Sequence, residues 1–263
     1  MVMQLVIETT DMLKMLNPVT KLHSNIKFDI FPEGRECMRL RSTLEDRSAA
    51  MFVDFPMNID NGEETHMFIS STELVRMLKT PTMKKGRSVI YAHKSMSDED
   101  ELSHVDIESF DGNIRRTFSP VKNGDKTTIK LDTLMQNAAY KTYVSLDPKT
   151  LKEMFDVIGS TGQIHIEIDR NELLFYPKDN SDIAQYKIAG RSDVPLEYVY
   201  RETELIMSLN IRGEPLKKII SALPNTMHKI RIYMKKDFPL IFIAQDVLKE
   251  GDKWAILIIQ PKR

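Results

Sequence analysis

One cysteine, Cys37, stands in the whole chain. A lone thiol excludes an intramolecular disulfide framework and a cysteine-rich zinc site, and it fits a reducing compartment. Cys37 lies in a strand-like segment with no activating partner near it in sequence, so it reads as structural. Long hydrophobic runs are absent as well. No apolar stretch approaches about 18 residues, so no membrane span is expected. The start, MVMQLVIETTD, lacks the basic region of a signal peptide and is expected to open a first strand. An excess of one charge is also missing, the formal net charge being −1. A protein that coats nucleic acid with its whole surface is usually strongly basic. Any nucleic-acid role here must therefore rest on segregated charge.

Catalytic signatures are equally scarce. The chain has no GxxxxGK[ST] phosphate loop, no GxGxxG and no GxSxG elbow. His23, His66, His93, His104, His165 and His228 are scattered, with no HExxH. Without metal-ligand spacing, each reads as a surface or satisfied strand residue. No catalytic residue, metal or cofactor is expected. The acidic run Asp98–Glu101 lacks the glycine and spacing of a calcium loop and reads as a solvated loop. A rival reading, a DNA-processing enzyme, would hold metal there and lose activity with EDTA or on substitution of Asp98 and Asp100.

Hydrophobic residues make up 41% and charged residues 29%, the composition of a globular chain with ample core. The length suits one large domain or two of about 130 residues each. The 16 methionines fall mostly on apolar faces and read as core filler.

The chain reads as one module written twice. In the first half, MQLVIE alternates as a strand, and Thr9-Thr10-Asp11 offer helix caps. The helix MLKMLNPVTKLH follows, with Pro18 expected to kink or shorten it. Ile26, Phe28 and Ile30 then alternate, a Pro-Glu-Gly turn falls at 32–34, and another strand runs through Met38 and Leu40. In the second half, TYVSL is a strand, and Asp147-Pro148 supplies a cap and a proline at the first helical position. KTLKEMFDVIG is a helix with Leu151, Met154, Phe155 and Ile158 on one face, and Gly159 suits its stop. Ile164, Ile166 and Ile168 alternate, Arg170-Asn171 turn, and Leu173 and Phe175 alternate again.

The offset between the halves is about 138 residues, too long for a solenoid and fitting an internal domain duplication. STELVRMLK at 71–79 lies opposite GEPLKKIIS at 213–221. The strands Val89–Tyr91 and Ile230–Tyr233 follow them, then HVDIESF opposite PLIFIAQ, and IRRTFSP opposite AILIIQP. Two domains, 1–122 and 141–263, are expected, joined by a connector at 123–140 that opens with the turn signal Asn123-Gly124. Strands outnumber helices. The expected class is α+β, each domain a curved antiparallel sheet with two helices on one face.

The helices carry the functional signal. In ELVRMLK, Leu74, Val75, Met77 and Leu78 form the apolar stripe, while Arg76 and Lys79 point away together. In PLKKIISAL, Leu216, Ile219, Ile220 and Leu223 face the sheet, and Lys217 and Lys218 face away. Lys14 and Lys21 share the outer face of the first helix. Lys149 and Lys152 share that of the third, diluted by Glu153 and Asp156. Lys84, Lys85 and Arg87 follow the second helix, and Arg212 precedes the fourth. Three of the four faces read as nearly free of acid. Glu63-Glu64, Asp98–Glu101, Glu202 and Glu204 gather the acids elsewhere. A near-neutral chain with its cations in one layer suits a polyanion held against that layer. No recognition-helix or zinc-finger pattern is present to read bases, so non-specific, salt-sensitive phosphate contact is expected.

Over its whole length the chain resembles the proliferating-cell-nuclear-antigen family of DNA sliding clamps. ELVRMLK resembles the family's second helix, KDFPLIFIAQDV its D-x-P-L strand, and IIQPKR its terminal hydrophobic-x-Pro-Lys. TIKL resembles the opening of its interdomain connector. The resemblance implies a head-to-tail homotrimeric ring, with helices lining a hole around duplex DNA and sheets outside. It implies a non-enzymatic clamp that tethers a DNA polymerase and other replication or repair proteins, and is opened by a separate loader ATPase. The place of action would be the nucleus or a site of viral DNA replication, inside the cell. The implied joining edges are the strands near 113–121, with Ile114, Arg115, Arg116 and Phe118, and near 181–190, with Ile183, Tyr186 and Ile188. Backbone pairing would join them, with Arg115-Arg116 and Asp182 adding charge complementarity.

The implied partner-peptide pocket takes Leu44, Pro239, Ile258 and Pro261, with Leu134 and Met135 from the connector as its wall. The alternative for Leu134 and Met135 is that they only pin the linker down. The sequence also departs from the family. The connector is several residues shorter, Ala138-Ala139-Tyr140 replaces a hydrophobic-Gly-hydrophobic-Pro pattern, Pro18 interrupts the first helix, and Asp156 falls near a usually basic position. These departures point to a divergent member, viral or specialised. The competing reading within the same fold is a subunit of a heterotrimeric checkpoint clamp, or a monomeric viral processivity or transcription factor.

Overall fold

The computed structural model of the chain describes residues 2–30, 37–44, 49–56, 64–97, 101–121, 133–134, 140, 142–169, 172–178, 184–189, 197–199, 207–223, 227–235, 238–246 and 254–259. The turns expected at 32–34 and 170–171, Asn123-Gly124 and most of the connector lie outside the described residues. The chain forms two compact units. Met1–Thr43, Met51–Ile129 and Gly251–Lys253 make the first, and Leu44–Ala50, Lys130–Glu250 and Trp254–Arg263 the second.

In the first unit, β1 (Val2–Glu8), β6 (Arg87–Lys94), β7 (Leu102–Ser109) and β8 (Arg115–Phe118) form one antiparallel sheet in the order β1-β6-β7-β8. A second run of neighbours is β4-β3-β2-β5, made of β2 (Asn25–Ile30), β3 (Cys37–Thr43), β4 (Ala49–Pro56) and β5 (Thr65–Ser70). Helix α1 (Thr9–Val19) follows the first strand, α2 (Ser71–Leu78) follows the fifth, and the short α3 (Pro81–Lys84) comes next.

The second unit repeats this plan. Its strands β9 (Thr142–Leu146), β15 (Met227–Met234), β16 (Leu240–Asp246) and β17 (Trp254–Ile259) run in the order β9-β15-β16-β17, with β13 (Glu197–Val199) added beside β9. The other sheet is β12-β11-β10-β14, from β10 (Gln163–Asp169), β11 (Glu172–Pro177), β12 (Tyr186–Ala189) and β14 (Met207–Arg212). Helix α4 (Pro148–Ile158) follows β9, and α5 (Gly213–Ala222) follows β14. Setting β13 aside, strand order and helix insertion points are the same in both units. The repeat seen in the sequence is thus a repeat of topology.

Local chemistry explains the helix ends. Asp147 caps α4 by accepting from the Lys149 amide at 2.8 Å, and Pro148 occupies the first turn. Gly159 ends α4 at φ 75°, a conformation that glycine adopts without Cβ strain. Leu151, Met154, Phe155 and Ile158 are all buried. Ser70 caps α2 through the Glu73 amide, and Leu74, Met77 and Leu78 are buried. Val75, expected in that stripe, is only half-buried. Gly213 starts α5 where a Cβ would meet the Ser160 carbonyl oxygen at 2.8 Å.

The caps expected at Thr9–Asp11 are inside α1. Buried Thr9 bonds to the Gly86 carbonyl, and its hydroxyl lies 2.6 Å from that of Ser88, so the helix begins one turn earlier. Pro18 sits in the last turn, and α1 stops one residue after it. Among the described residues no helix is long and apolar enough to cross a membrane.

The β4-β3-β2-β5 sheet of the first unit buries both faces. One face is apolar, with Ile26, Phe28, Ile30, Met38 and Leu40 each at most 1% exposed. The other carries Lys27, Asp29, Arg39, Arg41 and Asp54, all 4% exposed or less. Their burial is tolerated by pairing. Arg39 grips Asp54 with both forks, and Lys27 Nζ lies 2.6 Å from Asp29 Oδ1.

Candidate nucleic-acid interface and assembly edges

The helices of each unit turn their apolar stripe inward and leave a polar stripe in solvent. In the first unit Lys14, Lys21, Arg76, Lys79, Lys84 and Lys85 are exposed. Lys14 stands 3.8 Å from Asp11 on the same helix. Glu73, the exposed acid of α2, is taken by Arg116 of β8 at 2.7 Å. Arg76, Lys79, Lys84 and Lys85 therefore project without an acidic partner among the described residues, and they form the strongest cationic surface on the helices.

The second unit differs. Lys149 is exposed and Lys152 half-buried on α4, beside exposed Glu153 and Asp156. On α5, Lys217 is half-buried and Lys218 exposed. Arg212 is the half-buried residue just before that helix. The expectation that the fourth helix is nearly free of acid is corrected here. Glu214 lies in its first turn, where a carboxylate complements the helix dipole, and pairs with Lys218 at 2.7 Å. The Lys218 hydrogen bond holds the Glu214 carboxyl below the usual carboxylate range. A contact that weak phosphate binding could use at Lys218 is thus already shared.

Both strands expected to join subunits end their sheets. β8 is the last strand of β1-β6-β7-β8, and β12 is the last of β12-β11-β10-β14. Among the described residues each presents one row of backbone groups with no neighbour in its own sheet. Their side chains already have contacts within the chain. Phe118 and Ile188 are buried in their own units, at 3% and 8% exposure. Arg115 binds Asp106, and Arg116 binds Glu73. The two arginines are therefore paired within the chain. Ile114 precedes β8 and is half-buried, its amide bonded to the Ser109 hydroxyl. Tyr186 is half-buried and directs its hydroxyl toward Glu153 of α4 at 3.4 Å. Burial first, and Glu153 second, raise its phenol pKa. Ile183 and Asp182 lie outside the described residues.

The residues expected for a peptide pocket are partly in view. Leu44 after β3, Leu134 in the connector and Pro239 before β16 are each half-buried. Ile258 is within β17, its side chain outside the described set, as are Met135 and Pro261. Tyr140, the last residue of the connector, is docked at Pro239. Its hydroxyl donates to the Pro239 carbonyl at 2.6 Å, and its ring packs edge-on to Tyr233 and Phe238. Burial pushes the Tyr140 phenol up to about 12. Asp98 and Asp100, on which the enzyme reading rests, lie outside the described residues.

One constellation was not visible in the sequence. His93 of β6 and His104 of β7 are cross-strand partners and stack at 4.0 Å between ring centroids. Asp106, two residues along β7, completes a group whose ligand atoms lie within 4.8 Å of one another. These two histidines, scattered in the sequence, are neighbours in the fold. The available signal was His-x-Asp on one face of a strand, with a histidine across the hairpin.

No family model matches the chain, and no curated protein matches it. Among solved structures, the crystal structure of the PCNA2–PCNA3 complex from Sulfolobus tokodaii matches with a TM-score of 0.67 at 14% identity, covering 100% of this chain and 99% of that one. This protein has the PCNA-like sliding-clamp fold, two similar units built mostly of antiparallel sheet with few helices.

Proposed function

We propose that this protein is a DNA sliding clamp, a non-enzymatic processivity factor that closes into a head-to-tail homotrimer around duplex DNA. The observation that carries the reading is the full-length likeness to a clamp subunit. Two further features support it. The helices expose cations in both units, most densely at Arg76, Lys79, Lys84 and Lys85, and among the described residues β8 and β12 are the end strands of their sheets. Such a ring tethers a polymerase by topology. Weak, exchangeable phosphate contacts let it slide, and a separate loader ATPase opens it. Clamp-binding peptides of the polymerase and of repair proteins dock near the connector and Pro239. The protein acts where DNA is replicated, in a nucleus or at a viral replication site.

A second reading follows from the matched structure, which is a complex of two different clamp chains. In that case β8 or β12 pairs with a distinct partner chain rather than with a copy.

The DNA-facing assignment is tested with the triple variant Arg76→Glu, Lys79→Glu, Lys84→Glu in duplex-binding titrations over a salt series. Each lost phosphate contact removes about 0.9 from the slope of log affinity against log salt. The variant is expected to bind more weakly with a flatter slope, and to lose polymerase stimulation while staying folded. Unchanged binding, slope and stimulation would sink the assignment.

A further inference from the structure

We propose that His93, His104 and Asp106 form a binding site for one borderline divalent transition-metal ion, of the zinc or nickel class, on the solvent-facing side of the β6–β7 hairpin. The site is built from two adjacent strands in fixed register. His93 and His104 are directly opposite each other, and Asp106 projects from the same face of β7 as His104. Both histidine Nε2 atoms lie near one carboxylate oxygen, Asp106 Oδ2, His93 at 3.2 Å and His104 at 4.0 Å.

Ser103 donates its only hydroxyl proton to the His93 carbonyl at 3.1 Å. Its oxygen, 2.9 Å from His104 Nδ1, must therefore accept from that nitrogen. In neutral His104 the tautomer is thus Nδ1–H, and the Nε2 lone pair faces the carboxylate. His93 Nε2 is buried and has no hydrogen-bond partner among the described residues, its approach to Oδ2 being poorly aligned. The His104 lone pair and the Asp106 carboxylate can share a cation, a place that the Arg115 guanidinium takes in part at Oδ2.

The donor set matches a metal. Two ligands on one zinc at about 2.0–2.2 Å sit roughly 3.3–3.5 Å apart; the present spacings to Oδ2 bracket that value, and the two rings, stacked 14° from parallel, turn out of their stack for both Nε2 atoms to converge on one ion. Imidazole with carboxylate favours zinc, nickel or cobalt over magnesium and calcium. Supporting contacts are also in place. Ser103 orients His104, and Thr117 of β8 donates to the other Asp106 oxygen at 2.5 Å, the kind of outer contact that fixes metal ligands. Asp106 is 3% exposed on its side chain, while His93 at 22% and His104 at 36% leave a route from solvent and room for a coordinated water. The Arg115 guanidinium already touches Oδ2. A metal must share that oxygen with a cation, which limits affinity and ties occupancy to β8.

The experiment is a calorimetric titration of the full chain with zinc chloride in a non-chelating buffer, repeated on His93→Gln and His104→Gln. The wild type is expected to take up one zinc per chain, and each variant to bind at least about tenfold more weakly. Absence of wild-type binding, or variants that bind as the wild type does, would overturn the proposal. Should a variant fail to fold, diethyl pyrocarbonate labelling of the wild type decides the matter. Zinc must protect His93 and His104 and leave His23 reactive, and equal labelling with and without zinc overturns the site.

Discussion

Replacing Asp54 with alanine removes the acceptor of a two-pronged ion pair inside the first unit. Arg39 donates from Nε to Oδ1 at 2.6 Å and from Nη2 to Oδ2 at 2.8 Å, with Arg39 2% and Asp54 4% exposed. Water cannot take over from the lost carboxylate. An exposed pair would cost at most about 1 kcal/mol. Breaking a buried one costs about 3–5 kcal/mol, because the surviving charge stays desolvated. Lys27 and Arg41 are buried on the same sheet face, and their like charge pushes the cost toward the upper end. The Phe52 ring, 5.6 Å from the guanidinium carbon, offers only a weak substitute.

At about 2–4 °C per kcal/mol for a chain of this size, the melting temperature falls by on the order of 10 °C. Urea unfolding followed by circular dichroism, with thermal melts beside it, measures the loss. The double variant Arg39→Met, Asp54→Leu, which removes both charges, is expected to recover most of it. An Asp54→Ala protein within about 1 kcal/mol of wild type, a value typical of exposed pairs, would refute the reasoning. So would a double variant no more stable than the single one.

Asp147→Ala removes the cap on the Lys149 amide and is expected to cost about 1 kcal/mol, with Asp147→Ser close to neutral; urea midpoints check it. Tyr140→Phe deletes the bond to the Pro239 carbonyl and is expected to cost about 1–3 kcal/mol at neutral pH. Because burial raises the folded-state Tyr140 phenol to about 12, its contribution is fully present below the unfolded value near 10. It is lost as pH rises through about 12. The phenylalanine variant should therefore lack that alkaline loss and the latest-titrating part of the 295 nm absorbance.

What was legible in the sequence was local or periodic. Asp147, Pro148 and Gly159 bracket α4 through contacts with their own neighbours, and Leu151, Met154, Phe155 and Ile158 repeat at the helical period. The duplication was legible because both units insert a helix after the first and fifth strands. The buried charged face was not. Lys27 and Asp29 alternate with Ile26, Phe28 and Ile30, a pattern that usually marks a solvated face, and only the fold shows them covered. AAMFVDF, buried on both faces within β4, has no clean alternation to announce it.

Pairing across elements was equally hidden. Arg116 finds Glu73 across 43 residues, and His93 finds His104 across a hairpin. Composition alone cannot say which cations remain free for phosphate. Arg76 and Lys79 stay available because Glu73 is drawn away by Arg116, whereas Lys218 is shared with Glu214.

The central claim is that copies of this chain join edge to edge into a closed ring. Its most direct test is the mass in solution by light scattering across a dilution series. The account predicts a mass near three times 30.4 kDa that persists on dilution. A mass of 30.4 kDa at every concentration would contradict it.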